Sequence, residues 1–137
     1  MRPLILQCLQ NGPGQRQGSG RGCLGGAQDI AFGSDGLLYV VDSANKRVSV
    51  WSKEGTFKGH FKAKYDSSCI AATSATMVLA SANSHTVMVY TLGGQLVYGF
   101  GGKGCKLGRF SGPFGICVDD KGLVCVVDME NSCVQVF

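Results

Sequence analysis

Cysteine and histidine have the widest chemical range in this chain, because thiolates and imidazoles bind metals and act as nucleophiles or bases. Three of the seven cysteines, Cys117, Cys125 and Cys133, are spaced eight residues apart. That spacing would bring them together only if they lie on adjacent strands. No CxxC pair occurs, and neither His60 nor His85 has an acidic residue beside it in the sequence. We therefore expect no metal site, no cofactor and no catalytic residues.

The glycine-rich run at residues 99–104 matches the GxGxxG pattern of a dinucleotide site. Such a site needs a helix directly after the loop, so that the helix N-terminus faces the pyrophosphate. The residues that follow have no helical periodicity, and Lys103 is followed by glycine, which excludes a P-loop. The run is better explained as a connection between strands.

An internal repeat sets the positions of these residues. Residues 30–51 align without a gap with residues 116–137, which lie 86 positions further along the chain. Residues 70–90 form a weaker copy after one deletion in the first turn. In this alignment Ile30, Ile70 and Ile116 are equivalent. Periods of about 40 residues are typical of propellers, in which each repeat is one blade.

Each copy has the pattern of an antiparallel meander of short strands. A turn at Ser34–Gly36 precedes a nearly continuous apolar strand, Leu37–Val41, which predicts a strand buried on both faces. A polar turn follows, and an alternating strand begins at Val48. One such sheet cannot bury both of its faces, so we expect neighbouring repeats to stack on one another.

These residues resemble the NHL repeat family. The stretch Phe100–Ile116 is similar to the family's linker between blades, with its run of glycines and its Pro-x-Gly-Ile entry to the next blade. The pattern from Asp42 to Val48 is also typical of the family. The repeat signature that follows from the resemblance comprises Asp42, Asn45, Val48, Pro113, Gly115, Ile116, Asp128, Asn131 and Val134.

The predicted fold class is all-β, a partial propeller of about three four-stranded NHL-type blades with a short flexible N-terminal segment. We place the repeats at residues 27–64, 65–109 and 110–137. Residues 1–26 combine an apolar strand candidate, Leu4–Leu9, with a basic glycine-rich linker from residue 10. The third repeat ends after its third strand, and Leu4–Leu9 is the apolar run that could complete it.

The cellular location is expected to be the cytoplasm, with the nucleus as the alternative. No apolar run is long enough to span a membrane, and the short apolar start lacks a cleavage site, so neither membrane insertion nor secretion is expected. The seven cysteines are predicted to be reduced, because several replace valine or tyrosine at strand positions.

The resemblance implies a non-catalytic binding module. NHL propellers often form the partner-binding end of tripartite-motif and RING ubiquitin ligases, which suggests an adaptor in ubiquitin-dependent turnover with a protein partner. The alternative partner is RNA, because some NHL propellers bind RNA hairpins. A metal-dependent lyase or hydrolase is the second alternative, since some NHL-like proteins hold zinc with histidines.

Basic residues are the predicted partner-binding residues. Six of them lie between Lys46 and Lys64, against a single acid, and the net charge is +4. Most surface lysines are simply solvated. Lys46 and Arg47 are the strongest candidates because a turn between blade strands lies on the recognition face of a propeller. Arg109, in the linker, is the third.

A homodimer is also expected from the repeat count. Closed propellers have four to eight blades, so three blades would leave two apolar blade faces open. Two copies related by a two-fold axis would complete a six-bladed ring and bury both faces.

Overall fold

The computed structural model describes residues 18–137 and places them in three antiparallel sheets that follow one another along the chain. The first sheet contains β1 (Ala27–Phe32), β2 (Leu37–Asp42), β3 (Arg47–Ser52) and β4 (Phe57–Lys62). The second contains β5 (Cys69–Ala72), β6 (Thr76–Ser81), β7 (Thr86–Thr91) and β8 (Leu96–Gly101). The third contains β9 (Pro113–Val118), β10 (Val124–Asp128) and β11 (Cys133–Val136). The predicted all-β partial propeller of three blades is confirmed.

The register of the sheets matches the alignment of the repeats. Ile30 lies opposite Val40 on the first two strands of blade one. Ile70 takes the same position opposite Leu79 in blade two, and Ile116 takes it opposite Val126 in blade three. Residues that are equivalent in the alignment of the repeats therefore occupy equivalent paired positions in the three sheets.

The blades stack face to face because their second strands are apolar on both sides. The inner strands β1, β5 and β9 contact one another in that order. Tyr39 and Val41 of blade one pack against Met77 and Leu79 of blade two. The opposite face of blade two packs against Val124 and Val126 of blade three, with the linker residue Phe110 between the sheets.

The outer face of blade one is partly covered. Leu38, Val40 and Trp51 point to this face and are buried, with Leu24 and Phe57 packed against them. Ile30 and Phe32 of β1 lie on the same face, opposite Val40 and Leu38, and are 52% and 65% exposed. The expected open face is therefore restricted to the β1 side of the sheet, because Leu24, which precedes β1, packs over the other strands.

The outer face of blade three is open. Val127, Val134 and Val136 are 45%, 60% and 52% exposed, whereas Val48 of blade one, the equivalent of Val134, is fully buried. Blade three has three strands among the residues that the structure describes, as the repeat predicted. The candidate for its fourth strand, Leu4–Leu9, lies outside the described residues.

The cysteines divide into two groups. Cys69, Cys105, Cys117, Cys125 and Cys133 are free. Cys23 is disulfide-bonded, so the prediction that all seven cysteines are reduced is wrong at this residue. Within residues 18–137, no helix has the length and apolar character needed to cross a bilayer.

The linker aromatic Phe110 provides a test of the stacked-blade core. Phe110 is 0% exposed between blades two and three, whereas Leu107, three residues earlier, is 86% exposed. We expect Phe110→Ala to lower the free energy of unfolding by about 3–5 kcal/mol, because it removes a buried ring and leaves a cavity. Leu107→Ala should change it by no more than about 0.5 kcal/mol. Urea denaturation of both variants measures the difference; equal losses would contradict this packing.

Candidate binding surface

The two ends of the sheets differ in what they carry. One end, here called the linker rim, holds the turns between the second and third strands and the segments that join one blade to the next. The other end, here called the hairpin rim, holds the turns between the first and second strands and between the third and fourth. Turns and linkers can vary without disturbing the stacked strands, so both rims are candidate recognition surfaces.

A buried carboxylate fixes the linker rim in blade one. Asp42 ends β2, and its Oδ1 accepts hydrogen bonds from the backbone N–H groups of Gly25 and Gly26, at 2.9 and 3.0 Å. Its Oδ2 accepts from the Asn45 amide at 2.8 Å and from Arg47 Nε at 2.8 Å. Asp42 is thus fully buried and fully satisfied, and it joins the incoming linker to the turn after β2.

The partners of Asp42 determine its protonation. Burial alone would raise the pKa of Asp42, but hydrogen bonds from Asn45, Gly26, Arg47 and Gly25 outweigh it, and the pKa lies below its usual value. A carboxyl group with a lowered pKa in the folded state stabilises the fold at neutral pH. This contribution is lost as the pH falls through that lowered pKa, in the acid range.

Arg47 belongs to this network and not to the surface. It is 5% exposed, and its guanidinium forms an ion pair with Asp42. Further N–H groups donate to the backbone carbonyls of Ser19, Gly20 and Cys23. The prediction that Arg47 binds a partner is corrected, because the guanidinium is buried and hydrogen-bonded inside the protein.

Blade three uses the same design with a different donor. Asp128 accepts hydrogen bonds from the backbone N–H of Ser111 and from the side chains of Asn131 and Gln135. Cys133 occupies the sequence position of Arg47 and cannot donate in this way. Gln135, two residues further along β11, replaces the arginine and also donates to the carbonyl of Arg109 at 2.6 Å.

The linkers that enter blades one and three are equivalent. Asn45 donates to the carbonyl of Gly18, and Asn131 donates to that of Gly104, which lies 86 positions later. Gly22 and Gly108 have positive φ angles of 73° and 78° at matching positions. The structural equivalence of the first and third copies therefore continues upstream of residue 27 to Gly18. The signal was in the sequence: the offset of 86 also aligns Gly18, Gly22 and Gly26 with Gly104, Gly108 and Gly112.

Blade two departs from this design. Ser81 replaces the aspartate, and its hydroxyl accepts only a local hydrogen bond from the Ser84 N–H. His85 adds a hydrogen bond to the linker that Asp128 of blade three binds, because its Nδ1 accepts from the Gly112 N–H at 3.1 Å. His85 lies in the turn before β7 and His60 lies on β4, as the sequence predicted.

The linker rim gathers the exposed positive charge. Lys46 and Arg109, two of the predicted partner-binding residues, are exposed there. Arg109 is oriented by a hydrogen bond from its Nη1 to the carbonyl of Gly101. The exposed cations of this rim are Arg21, Lys46, Lys62, Lys64, Lys103, Lys106 and Arg109. Outside the buried networks, Asp66 and Glu130 are the acidic residues of the same rim among residues 18–137.

The hairpin rim has the opposite character. Its turns carry Asp35, Glu54, Asp119 and Asp120 against the cations Lys53 and Lys121. A shallow groove of about 650 Å³ at this end runs between Ser34, Thr73 and Asp119. The Asp119 carboxylate is already used to accept hydrogen bonds from the Lys121 and Leu123 N–H groups. Asp120 and Lys121, which have opposite charges, also line this groove.

The thiols and imidazoles do not form a metal centre of three or more ligands within residues 18–137. Burial raises the pKa of Cys69 to about 12, so its thiol stays protonated and unreactive near neutral pH. Cys117 lies opposite Cys125, but Cys133 lies opposite Asp128, further along the sheet. The imagined cluster of three cysteines is thus a pair and a separate residue.

Comparison with known proteins agrees with the fold. The family model for the NHL repeat matches residues 24–51 and 110–137. Over 118 residues the chain is 28% identical to the protein brain tumor of Drosophila melanogaster and 30% identical to the B-box type zinc finger protein ncl-1 of Caenorhabditis elegans. Each match covers 79% of this chain but only 11% and 13% of those proteins.

Solved structures resemble the chain at lower identity. A streptogramin B lyase superposes with a TM-score of 0.61 at 12% identity, covering 82% of this chain and 40% of that one. The hydrazine synthase of Kuenenia stuttgartiensis superposes with the same score at 15% identity, covering 90% and 38%. At such identities the likeness is one of fold alone.

Two adjacent residues test the assignment of roles on the linker rim. We expect Arg47→Glu to lower the free energy of unfolding by about 3–5 kcal/mol, because it breaks a buried ion pair and sets a second carboxylate beside Asp42. Lys46→Glu makes the same change of charge at an exposed site and should stay within about 0.5 kcal/mol. Thermal and urea unfolding of both variants measures this, and a stable Arg47→Glu protein would show that the network is dispensable.

Proposed function

We propose that this chain, which is an NHL-repeat protein, is a non-catalytic binding module whose linker rim takes an acidic protein partner. The observation that carries the proposal is the separation of charge between the two rims. Seven exposed cations lie on the linker rim, including Lys46, Lys106 and Arg109, while most exposed acids of the turns lie at the other end. Such a field attracts and orients an anionic partner.

The linker before blade three favours a protein over other anionic partners. Leu107 is 86% exposed in this linker and stands between Lys106 and Arg109. An apolar side chain surrounded by cations suits an acidic segment that also carries an apolar residue, since apolar anchors contribute most at the centre of an interface. The Gln135 side chain accepts a hydrogen bond from the Gly108 N–H and donates one to the Arg109 carbonyl, which fixes the linker backbone. Binding a partner therefore costs little conformational entropy in this linker.

A role as an adaptor in ubiquitin-dependent turnover, in the cytoplasm or nucleus, is the narrower form of this proposal. It rests on the resemblance to the propellers of RING ubiquitin ligases. Affinity purification of the intact chain tests it, and it requires a ubiquitin ligase or its substrate to be recovered with the chain.

RNA is the second candidate partner, and the basic linker rim is the observation that favours it. Phosphate groups bind to clustered lysine and arginine side chains without needing an apolar anchor. The two candidates therefore make different use of Leu107 and respond differently to salt.

The remaining predictions from the sequence are a metal-dependent lyase or hydrolase and a homodimer. The likeness to a lyase concerns the fold alone, and a lyase function is not part of the proposal. The two-copy ring stays a prediction. Blade one would contribute the exposed part of its outer face around Ile30 and Phe32, and blade three would contribute Val127, Val134 and Val136.

Charge reversal on each rim tests the location of the binding surface. The triple variant Lys46→Glu, Lys62→Glu, Lys106→Glu should weaken binding of the recovered partner by about tenfold or more, because complementary charges at an interface are replaced by like charges. The matched triple Lys53→Glu, Lys58→Glu, Lys121→Glu has the same net charge and should bind as the unmodified chain does. Lys58 is exposed at the start of β4, at the hairpin-rim end of that strand. Titration calorimetry measures both; equal weakening would place the surface elsewhere.

Salt dependence and the leucine separate the two partner classes. For RNA, log affinity should fall steeply and linearly with log salt between about 50 and 300 mM, and Leu107→Ala should change little. For an acidic protein, the fall should be shallower and Leu107→Ala should weaken binding clearly. A flat affinity for RNA oligonucleotides over this range removes RNA from consideration.

A further inference from the structure

Two thiols face each other on the open side of blade three. Cys117 on β9 and Cys125 on β10 are directly opposite partners in the antiparallel register. Cys117 is exposed and Cys125 is partly exposed, so both can be reached from solvent.

In the other two blades, the equivalent pair of opposite residues on the first and second strands contributes to the packing between blades. In blade one it pairs Ala31 with Tyr39, and in blade two it pairs Ala71 with Val78. Tyr39 and Val78 are buried because the next blade lies against them. Among the described residues, no further blade packs against this position of blade three. The two cysteines therefore replace a pair that is buried between blades elsewhere in the structure.

Only two ligands are available at this rung. Strand alternation turns Ile116 and Val126 toward blade two, and Cys133 pairs with Asp128 further along the sheet. No group of three or more metal-ligating side chains occurs among residues 18–137. A tetrahedral zinc ion needs four ligands, whereas soft thiolates select soft cations such as Cu(I), for which two sulfur ligands suffice.

We propose that Cys117 and Cys125 form a two-thiolate site for a soft monovalent cation, with Cu(I) as the ion that fits. Each thiol loses its proton to solvent, and each sulfur forms one bond to the ion, so no electron is transferred. The site lies on the face of blade three rather than on a rim, and it is independent of the proposed partner binding.

The ionisation of the pair gives the site a pH dependence. Burial, the neighbouring Cys117 thiol and Asp119 raise the pKa of Cys125. The Cys125 thiol is therefore protonated at neutral pH, and binding of the ion displaces its proton. The affinity for the ion should rise with pH in the neutral range.

Competition with a chromogenic chelator tests the site. The full chain is titrated anaerobically with Cu(I) held by bathocuproine disulfonate. We expect one Cu(I) per chain to be retained at a chelator concentration at which Cys117→Ser and Cys125→Ser each retain none. Cys133→Ser changes a free thiol of the same sheet outside the pair and should retain the ion as the unmodified chain does. Cys125→Ala provides a second variant of the pair, and a thermal melt of each variant checks folding.

Three results would overturn the proposal. The first is retention of Cu(I) by a folded Cys117→Ser or Cys125→Ser protein. The second is loss of the ion in a folded Cys133→Ser protein. The third is an affinity that does not rise with pH between about 6 and 8, since a two-thiol site must release protons on binding.

Discussion

A buried aspartate at the end of the second strand holds the linker rim together. Asp42 binds the two backbone amides that precede β1, and Asp128 binds the amide of Ser111 before β9. A buried carboxylate is costly unless each of its oxygens is paired, so the linker must return to the same place in each of these blades. The position of every exposed side chain on the two linkers, including Arg109, follows from this requirement.

The donors around the aspartate vary while the geometry stays the same. Arg47 completes the network of blade one with an ion pair, and Gln135 completes that of blade three with a neutral amide. Blade two has Ser81 at this position, and its His85 adds a hydrogen bond to the linker that Asp128 of blade three also binds. Because a buried group only needs its hydrogen bonds satisfied, different side chains can meet the same constraint. The fold therefore keeps its linkers in place while the sequence of the turns diverges.

The stacked sheets and the rims have separate tasks. Blades pack through apolar residues of their second strands, which leaves charge to the turns and linkers at the ends. The linker rim can thus present cations without any of them entering the core, and the hairpin rim can carry acids. The open face of blade three is a third region, where Cys117 and Cys125 stand on a rung that blades one and two use for packing.

The sequence by itself determined the repeat, the strand pattern and the fold class. An offset of 86 residues and apolar second strands are local features, and they predicted three meanders whose rungs match in space. The burial of individual side chains could not be predicted from these local features. Arg47 and Lys46 are adjacent in the sequence and equally charged, yet one closes a buried network and the other meets solvent. Cys117, Cys125 and Cys133 are equally spaced, yet only two of them meet. The burial of Trp51 in blade one likewise depends on Leu24, which precedes the sheet in the sequence and packs against it. Each of these outcomes depends on contacts between residues distant in the sequence, which only the tertiary structure decides.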